Sequence, residues 1–344
     1  MPSARDLGLG SGLLPPGPHN AITDVGGVTV GHCTLHGDGL ATGVTAILPH
    51  QGDLFRHKVR AGVEVINGFG KSVGLMQIAE MGTVETPIFL TNTFSVAACA
   101  QTLARRAIAA NPEIGRKTST VNPLVFECND GAINDIQAMA VTAADAERAL
   151  ADAKGGGVQQ GAIGAGTGMT SFGFKAGIGS ASRLMRIDKH DYMLGALVLA
   201  NFGRAGDLVL PDGRRPNPIE KAEQEKGSVI VILATDLPLG DRQLRRVARR
   251  AGAGLARLGA FWGNGSGDIA LCFTTADPVA HEPGAAFQPV RQLAEDRIDM
   301  PFRAAAEATQ EAVLNALCAA PAMAGRAGRT FPALCQWLKE NPLP

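Results

Sequence analysis

The sequence has no surplus of either charge: among its 344 residues, 32 Lys and Arg balance 32 Asp and Glu, for a formal net charge of zero. Without a basic excess, no global field draws the chain to nucleic acid or to an anionic membrane surface. Repulsion between copies is equally weak, so self-association is not opposed. No run of about 18 apolar residues is available to span a bilayer. The first twenty residues, MPSARDLGLGSGLLPPGPHN, lack the continuous apolar stretch of a signal peptide. A cytoplasmic location is the expectation.

Metal and cofactor signatures are also missing. The six cysteines form no CxxC pair and show no ligand spacing with the seven histidines. Most lie inside apolar runs such as IALCF and LNALCAA, which predicts buried, reduced thiols. No GxxxxGK[ST] loop is present. GAIGAGTGM at 161–169 has the glycines of a dinucleotide fingerprint, but a helical segment precedes it and TSFGFKAGIGSASR follows without helical period. Those glycines instead imply close backbone approach. No metal and no cofactor is expected.

What is present is a glycine-rich globular composition, 45% hydrophobic and 19% charged with 43 glycines. ITDVGGVTVGHCTL, GVTAILP, PIFLTNTF, PLVFEC, YMLGALVLANFG, GSVIVILATD and DIALCFTT read as strands. Helices are predicted from Ser95 to about Ala110 and over AADAERALADAK. A third runs from Asp241 to about Leu258, where Leu244, Val247, Ala248, Ala251, Leu255 and Leu258 form one stripe, and a fourth, amphipathic helix spans about 301–319. Arg242, Arg245, Arg246, Arg249 and Arg250 fall on the polar side of the third helix and read as a solvated face. The charged stretch PDGRRPNPIEKAEQEKG, 211–227, is a loop. Strand clusters interleaved with helices favour one α/β unit of layered sheets and helices over two separate domains.

One motif stands out. In Trp262-Gly-Asn-Gly-Ser-Gly-Asp-Ile-Ala-Leu271 a lone serine sits among small, flexible residues where an apolar strand begins. Asn264-Gly265 alone is a type I′ hairpin signal, and that plain reading stands beside a functional one. A hydrolase elbow does not fit, because Asn264 occupies the position that requires glycine and a strand, not a helix, follows. The order loop, serine, strand suits a different device. Were the Gly265–Ser266 bond cut, Ser266 would carry a hydroxyl and a free α-amine on one residue. That amine has a pKa of about 7.7 to 8, so near neutral pH it can take the hydroxyl proton without a histidine.

GNGSGDIALCFTTADP, ITDVGGVTVGHCTL, GVTAILP, TPIFLTNTFSV, VFECNDGAINDI, GAIGAGTGM, KAGIGSASR, LANFG and ATDLPL together resemble the DmpA-type aminopeptidase family, over residues from about 20 to 320. This family contains L-aminopeptidase/D-amidase/esterases and β-peptidyl aminopeptidases. The resemblance implies a four-layer αββα sandwich of the DmpA and ornithine-acetyltransferase type, related to the N-terminal-nucleophile hydrolases. It implies one domain over 1–344, self-cleaved after Gly265 into an α-chain of 1–265 and a β-chain of 266–344. It implies Ser266 as nucleophile, Asn201 of LANFG in the oxyanion hole and Glu127 of FECNDG as the anchor for the substrate's free amino group. Thr309 and Glu311 of EATQEAVLNAL match a hydroxyl and a glutamate of its late helix. Two residues apart on a regular helix diverge by about 200°, so both reach one site only if that helix is irregular there. The implied substrates are small peptides, amides or esters with a free amine, and the implied assembly is a homo-oligomer, a tetramer of αβ protomers.

Asn92 and Thr93, where PIFL meets its helix, suit a pocket or an N-cap, and capping is the expectation. Thr167 among the glycines is a further hydrogen-bonding candidate. Two alternatives remain: an uncleaved, catalytically silent scaffold that binds a small amine, and an acyltransferase like the ornithine acetyltransferases, whose nucleophile is threonine.

Overall fold

The computed structural model describes residues 2–219 and 227–342, so residues 220–226 of the charged loop lie outside the described residues. Period-two patterning in the strands explains the layering. β1 (Thr29–Gly37), β2 (Leu40–Leu48), β5 (Ile88–Asn92) and β6 (Leu124–Cys128) form one sheet in the order β1-β2-β5-β6. β3 (His57–Gly68), β4 (Thr83–Val84), β9 (Ile178–Ile187), β10 (His190–Asn201), β11 (Ser228–Thr235) and β12 (Gly267–Ala280) form the other, ordered β4-β3-β12-β11-β10-β9. β7 (Thr170–Ser171) and β8 (Phe174–Lys175) make a small ribbon. In β11, Val229, Val231 and Leu233 point to one face while Ile230, Ile232 and Ala234 point to the other, and all are buried. Strands covered on both faces read as unbroken apolar runs, as GSVIVILATD does.

Ile230, Ile232, Leu271 and Phe273 meet Ile47, Leu90 and Phe126 between the two sheets. Outside the first sheet, α2 (Val96–Ala110) and α3 (Ala143–Ala151) cover Val44, Phe89 and Val125. Outside the second, α4 (Asp241–Arg249), α5 (Ala251–Ala256) and α6 (Asp299–Cys318) cover Val229, Val231 and Ala270. The short α1 (Leu75–Met81) follows β3. This is the αββα sandwich expected. No described helix is long and apolar enough to cross a membrane.

Three expectations need correction. The helix foreseen over 241–258 is two, because the Ala251-Gly-Ala-Gly254 stretch closely approaches α6: a Cβ on Gly254 would lie 2.4 Å from Ala306 O. α6 is not amphipathic; sixteen of its residues are buried, since it lies across β9 and β10 with α5 against another flank. Part of ITDVGGVTVGHCTL, Ile22–Asp24, is a 3-10 turn before β1. The arginine face is solvated and also paired: Arg245 and Arg249 bind Glu64, while Arg242 and Arg246 bind Glu295. The six cysteines are free thiols, five of them buried. The 161–169 glycines do allow close approach, and a Cβ on Gly168 would lie 2.3 Å from Ala41 O.

Candidate active site

Ser266 immediately precedes β12. Its N–H donates to Gly263 O at 2.9 Å, closing a four-residue turn. Neither Asn264 nor Gly265 has a positive φ, and Phe261 and Trp262 form no strand, so the type I′ hairpin is absent. β12 is paired with β3 and β11 instead. Asn67, at the end of β3, pins the turn from outside: its Nδ2 donates to Gly263 O at 2.9 Å and to Ser266 O at 2.6 Å. Phe69 N–H also donates to Ser266 O, at 3.3 Å. Gly267 admits this contact, because a Cβ there would lie 2.5 Å from Phe69 O.

Ser266 Oγ donates to Asp268 Oδ1 at 2.7 Å, and both residues are fully buried. Residues two apart along an extended strand share a face, which brings the two side chains together. A register shift against β3 falls immediately after Asp268, where Asn67 opposes Asp268 and Val65 opposes Ile269. Such bulges re-aim side chains and recur beside active sites.

Asn201 pairs with Ser228, which pairs with Gly267, so the three form one row across β10, β11 and β12. At the usual inter-strand spacing the Asn201 and Gly267 Cα atoms are about 10 Å apart. The Asn201 carboxamide is oriented at both ends: Oδ1 accepts from Thr170 N–H at 3.0 Å and Nδ2 donates to Asn129 O at 2.9 Å. A cleft of about 470 Å³ opens beside it, lined by Asn129, Thr170, Asn201, Phe202 and Phe331 among others.

Glu127 in β6 is 3% exposed. Its Oε1 accepts from Lys71 N–H at 2.7 Å and its Oε2 accepts from the Thr93 hydroxyl. Among the described residues no Lys, Arg or His nitrogen forms an ion pair with it, and the Lys71 ammonium lies instead 4.0 Å from the centre of the exposed Phe69 ring. A Cβ on Gly70 would lie 3.7 Å from Glu127 Oε1 and 4.0 Å from Gly267 Cα. The acid and the start of β12 therefore flank the same loop. A buried carboxylate with hydrogen bonds but no counter-cation suits a cationic ligand, because burying it alone is costly.

α6 runs unbroken through residues 309–311, so Thr309 and Glu311 diverge. Thr309 lies against Gly254 of α5, fully buried, and its hydroxyl has no hydrogen-bond partner among the described residues. Buried hydroxyls are usually paired, so this one is available to a ligand or water. Glu311 faces elsewhere: Oε1 accepts from Arg5 Nε and Asn20 Nδ2, each at 2.6 Å, and Oε2 accepts from Arg5 Nη2 at 2.8 Å and Arg183 Nη2 at 2.7 Å. None of these partners belongs to the Ser266 turn, so the structure does not bring Glu311 to the nucleophile.

Asn92 caps as expected, its Oδ1 accepting from Phe94 and Ser95 N–H, but Thr93 belongs to the Glu127 pocket. Thr167 donates to Gly164 O at 2.6 Å within its own loop. No motif in the sequence marks Asn67 or the backbone of Lys71 as site groups, and Asp268 stands in the GNGSGD motif without a role that the motif itself defines. The signal for Asn67 was the alternating run VEVI ending in Asn67-Gly68.

The model of the family described as Peptidase family S58 matches residues 20–331. The chain is 37% identical over 361 aligned positions to the beta-peptidyl aminopeptidase BapA of Sphingosinicella microcystinivorans, covering 97% of this chain and 89% of that one. Among solved structures, a Burkholderia sp. beta-aminopeptidase superposes with a TM-score of 0.90 at 40% identity, covering both chains fully. The L-aminopeptidase D-Ala-esterase/amidase of Ochrobactrum anthropi, described as a prototype for the serine aminopeptidases and a new variant of the Ntn hydrolase fold, gives 0.87 at 38% identity over 99% of each chain. The chain belongs to peptidase family S58, the self-processing serine aminopeptidases of the DmpA type.

Proposed function

We propose that the chain cuts itself between Gly265 and Ser266 and then uses Ser266 to release the first residue of short peptides, amides or esters. The observation that carries this reading is the buried serine at the head of β12, which flanks one loop with the buried Glu127 carboxylate, an acid with no ion-pair partner among the described residues. Glu127, its oxygens fixed by Thr93 and by Lys71 N–H, anchors the substrate ammonium. Ser266 Oγ attacks the first carbonyl and its own α-amine takes the proton. The Asn201 amide nitrogen carries two hydrogens; one is engaged by Asn129 O, and the other serves the oxyanion. One such donor is worth about 2.7 to 4 kcal/mol at the transition state. Water then releases the acyl group. The unpartnered Thr309 hydroxyl supports a place for it in the same machinery, and no contact supports one for Glu311.

The zero net charge, which leaves little repulsion between copies, supports a homo-oligomer, in our proposal a tetramer of αβ protomers. Free thiols support a reducing cytoplasmic setting.

Mass spectrometry of the purified protein tests the cut, and p-nitroanilides of L-, D- and β-amino acids, each free and N-acetylated, test the rest. The expected result is two fragments meeting at Gly265 and Ser266, hydrolysis of free-amine substrates only, and loss of both in Ser266→Ala. Full turnover by an intact chain, or an unaffected Ser266→Ala variant, overturns the reading.

A further inference from the structure

The α-amine that activates Ser266 does not exist until the chain has been cut. Before that, the Ser266 nitrogen is an amide and has no basic lone pair, so the first reaction at this residue needs a different proton acceptor. We propose that Asp268 is that acceptor: the general base, and then the general acid, of the self-cleavage itself. The inference rests on the reading of Ser266 given above and extends it to the step that creates the enzyme.

The placement is direct. Ser266 Oγ already donates to Asp268 Oδ1 at 2.7 Å, within the reach a general base requires, and both residues are fully buried. Asp268 is the ionisable side chain found on this hydroxyl among the described residues. The strand start puts the two side chains on one face, and the bulge beside Asp268 lies at the same point. Asn67 holds both ends of the segment that contains the scissile bond, through Gly263 O on one side and Ser266 O on the other. Asn67 is therefore a positioning residue, whereas Asp268 touches a reacting atom.

The step balances without any further reagent but water. Asp268 takes the Oγ proton as Oγ bonds to the Gly265 carbonyl carbon. The tetrahedral adduct collapses by breaking the Gly265 C–N bond, and the proton on Asp268 passes to the departing Ser266 nitrogen. An ester between Gly265 and Ser266 Oγ results, together with a free α-amine. Water hydrolyses that ester to the Gly265 carboxylate and the Ser266 hydroxyl. The site thus uses one base before the cut and another after it, and the first reaction supplies the base for the second.

The test follows full-length chain on denaturing gels after synthesis in a cell-free system. Asp268→Asn keeps the size and can still accept the serine hydrogen bond but cannot take the proton; conversion to two fragments is expected to slow at least about 100-fold, the lower end of what general bases contribute. Ser266→Ala serves as the reference for the underlying reading. If Ser266→Ala is still cut, the nucleophile assignment falls. If it stays whole while Asp268→Asn is cut at the wild-type rate, only the role of Asp268 falls. Should Asp268→Asn show no cooperative thermal transition, Asp268→Glu and Asp268→Gln decide the matter, being matched in size and differing in whether they accept a proton. Glu is expected to restore cleavage and Gln not to; equal rates overturn the proposal.

Discussion

Glu127 and Glu311 are both buried glutamates, 3% and 0% exposed, yet their surroundings differ in kind. Glu127 is held by a backbone N–H and a hydroxyl, with no ion pair among the described residues. Glu311 is saturated by Arg5, Arg183 and Asn20. Arg183 is itself fully buried and also donates to Ser11 O, Ser182 O and Glu307. The second cluster therefore ties the N-terminal segment to α6 and to β9. A buried acid that the fold neutralises is part of the fold; one that it leaves without a cation is poised for a ligand.

The largest expected effect comes from breaking the neutralised site. Glu311→Gln takes from buried Arg183 the shorter of its two ion pairs, leaving Glu307 at 3.4 Å, and breaking a buried pair costs up to about 3 to 5 kcal/mol. Chemical denaturation should show that loss while folded molecules keep their turnover. Unchanged stability with turnover lost would reverse the comparison and return Glu311 to the chemistry its family resemblance implies. Next comes Glu127→Gln, which should leave the melting temperature in place but cut kcat/KM for free-amine substrates. Truncating one partner of a buried charge pair costs about 2 to 5 kcal/mol, or roughly 30- to 5,000-fold. Free and N-acetylated p-nitroanilides should then be handled alike; if the free amine is still preferred as strongly, the ammonium is bound elsewhere. Smaller again is Thr93→Val, which removes one hydrogen bond to a charged group, worth about 1.5 to 3 kcal/mol, or roughly 10- to 150-fold in kcat/KM. An effect on stability alone would make Thr93 merely a structural residue.

The same contrast explains what the sequence could and could not tell. β5, β6, β10, β11 and β12 were legible because burial on both faces makes each an unbroken apolar run. Ser266, Asn201 and Glu127 draw attention as polar residues where such runs stop, but the roles of Asn201 and Glu127 come from the family resemblance carried by LANFG and FECNDG, not from the strand pattern. Glu311 was not separable from Glu127, because its partners Arg5, Asn20 and Arg183 are brought to it from distant parts of the chain and no local pattern records a long-range ion pair. β3 passed unread because HKVRAGVEVING mixes charge with valine, and with it Asn67, whose role depends on β3 lying beside β12. The Asn264-Gly265 pair pointed to a hairpin for a similar reason: local turn chemistry was overruled by β12 pairing with β3 and β11 instead of with the residues before the turn.

A last and smaller test uses pH to set the neutralised acid against a buried acid that no cation reaches in the described contacts. Burial works to raise the Glu311 pKa, but the Arg5, Arg183 and Asn20 contacts outweigh it and hold the carboxyl below its ordinary range near 4.5. The unfolded chain then binds the extra proton in acid, so this contribution is complete above about pH 4.5 and is lost as pH falls through the lower folded value. Asp130 runs the other way. Burial lifts its pKa to about 6, against the hydrogen bonds from Thr42 and Asn134 that favour the charge. Between about pH 4 and pH 6 the folded chain holds the extra proton, so the stabilisation present in acid is lost as pH rises through that window. Comparing wild type with Asp130→Asn, which cannot ionise, the stability difference should grow in favour of the variant from pH 4 to pH 6 and then level. Comparing wild type with Glu311→Gln, the advantage of the wild type should instead shrink only below pH 4.5. If both differences moved in the same direction with pH, the two acids would not be neutralised differently, and the contrast between fold-bound and ligand-ready carboxylates would lose its physical basis.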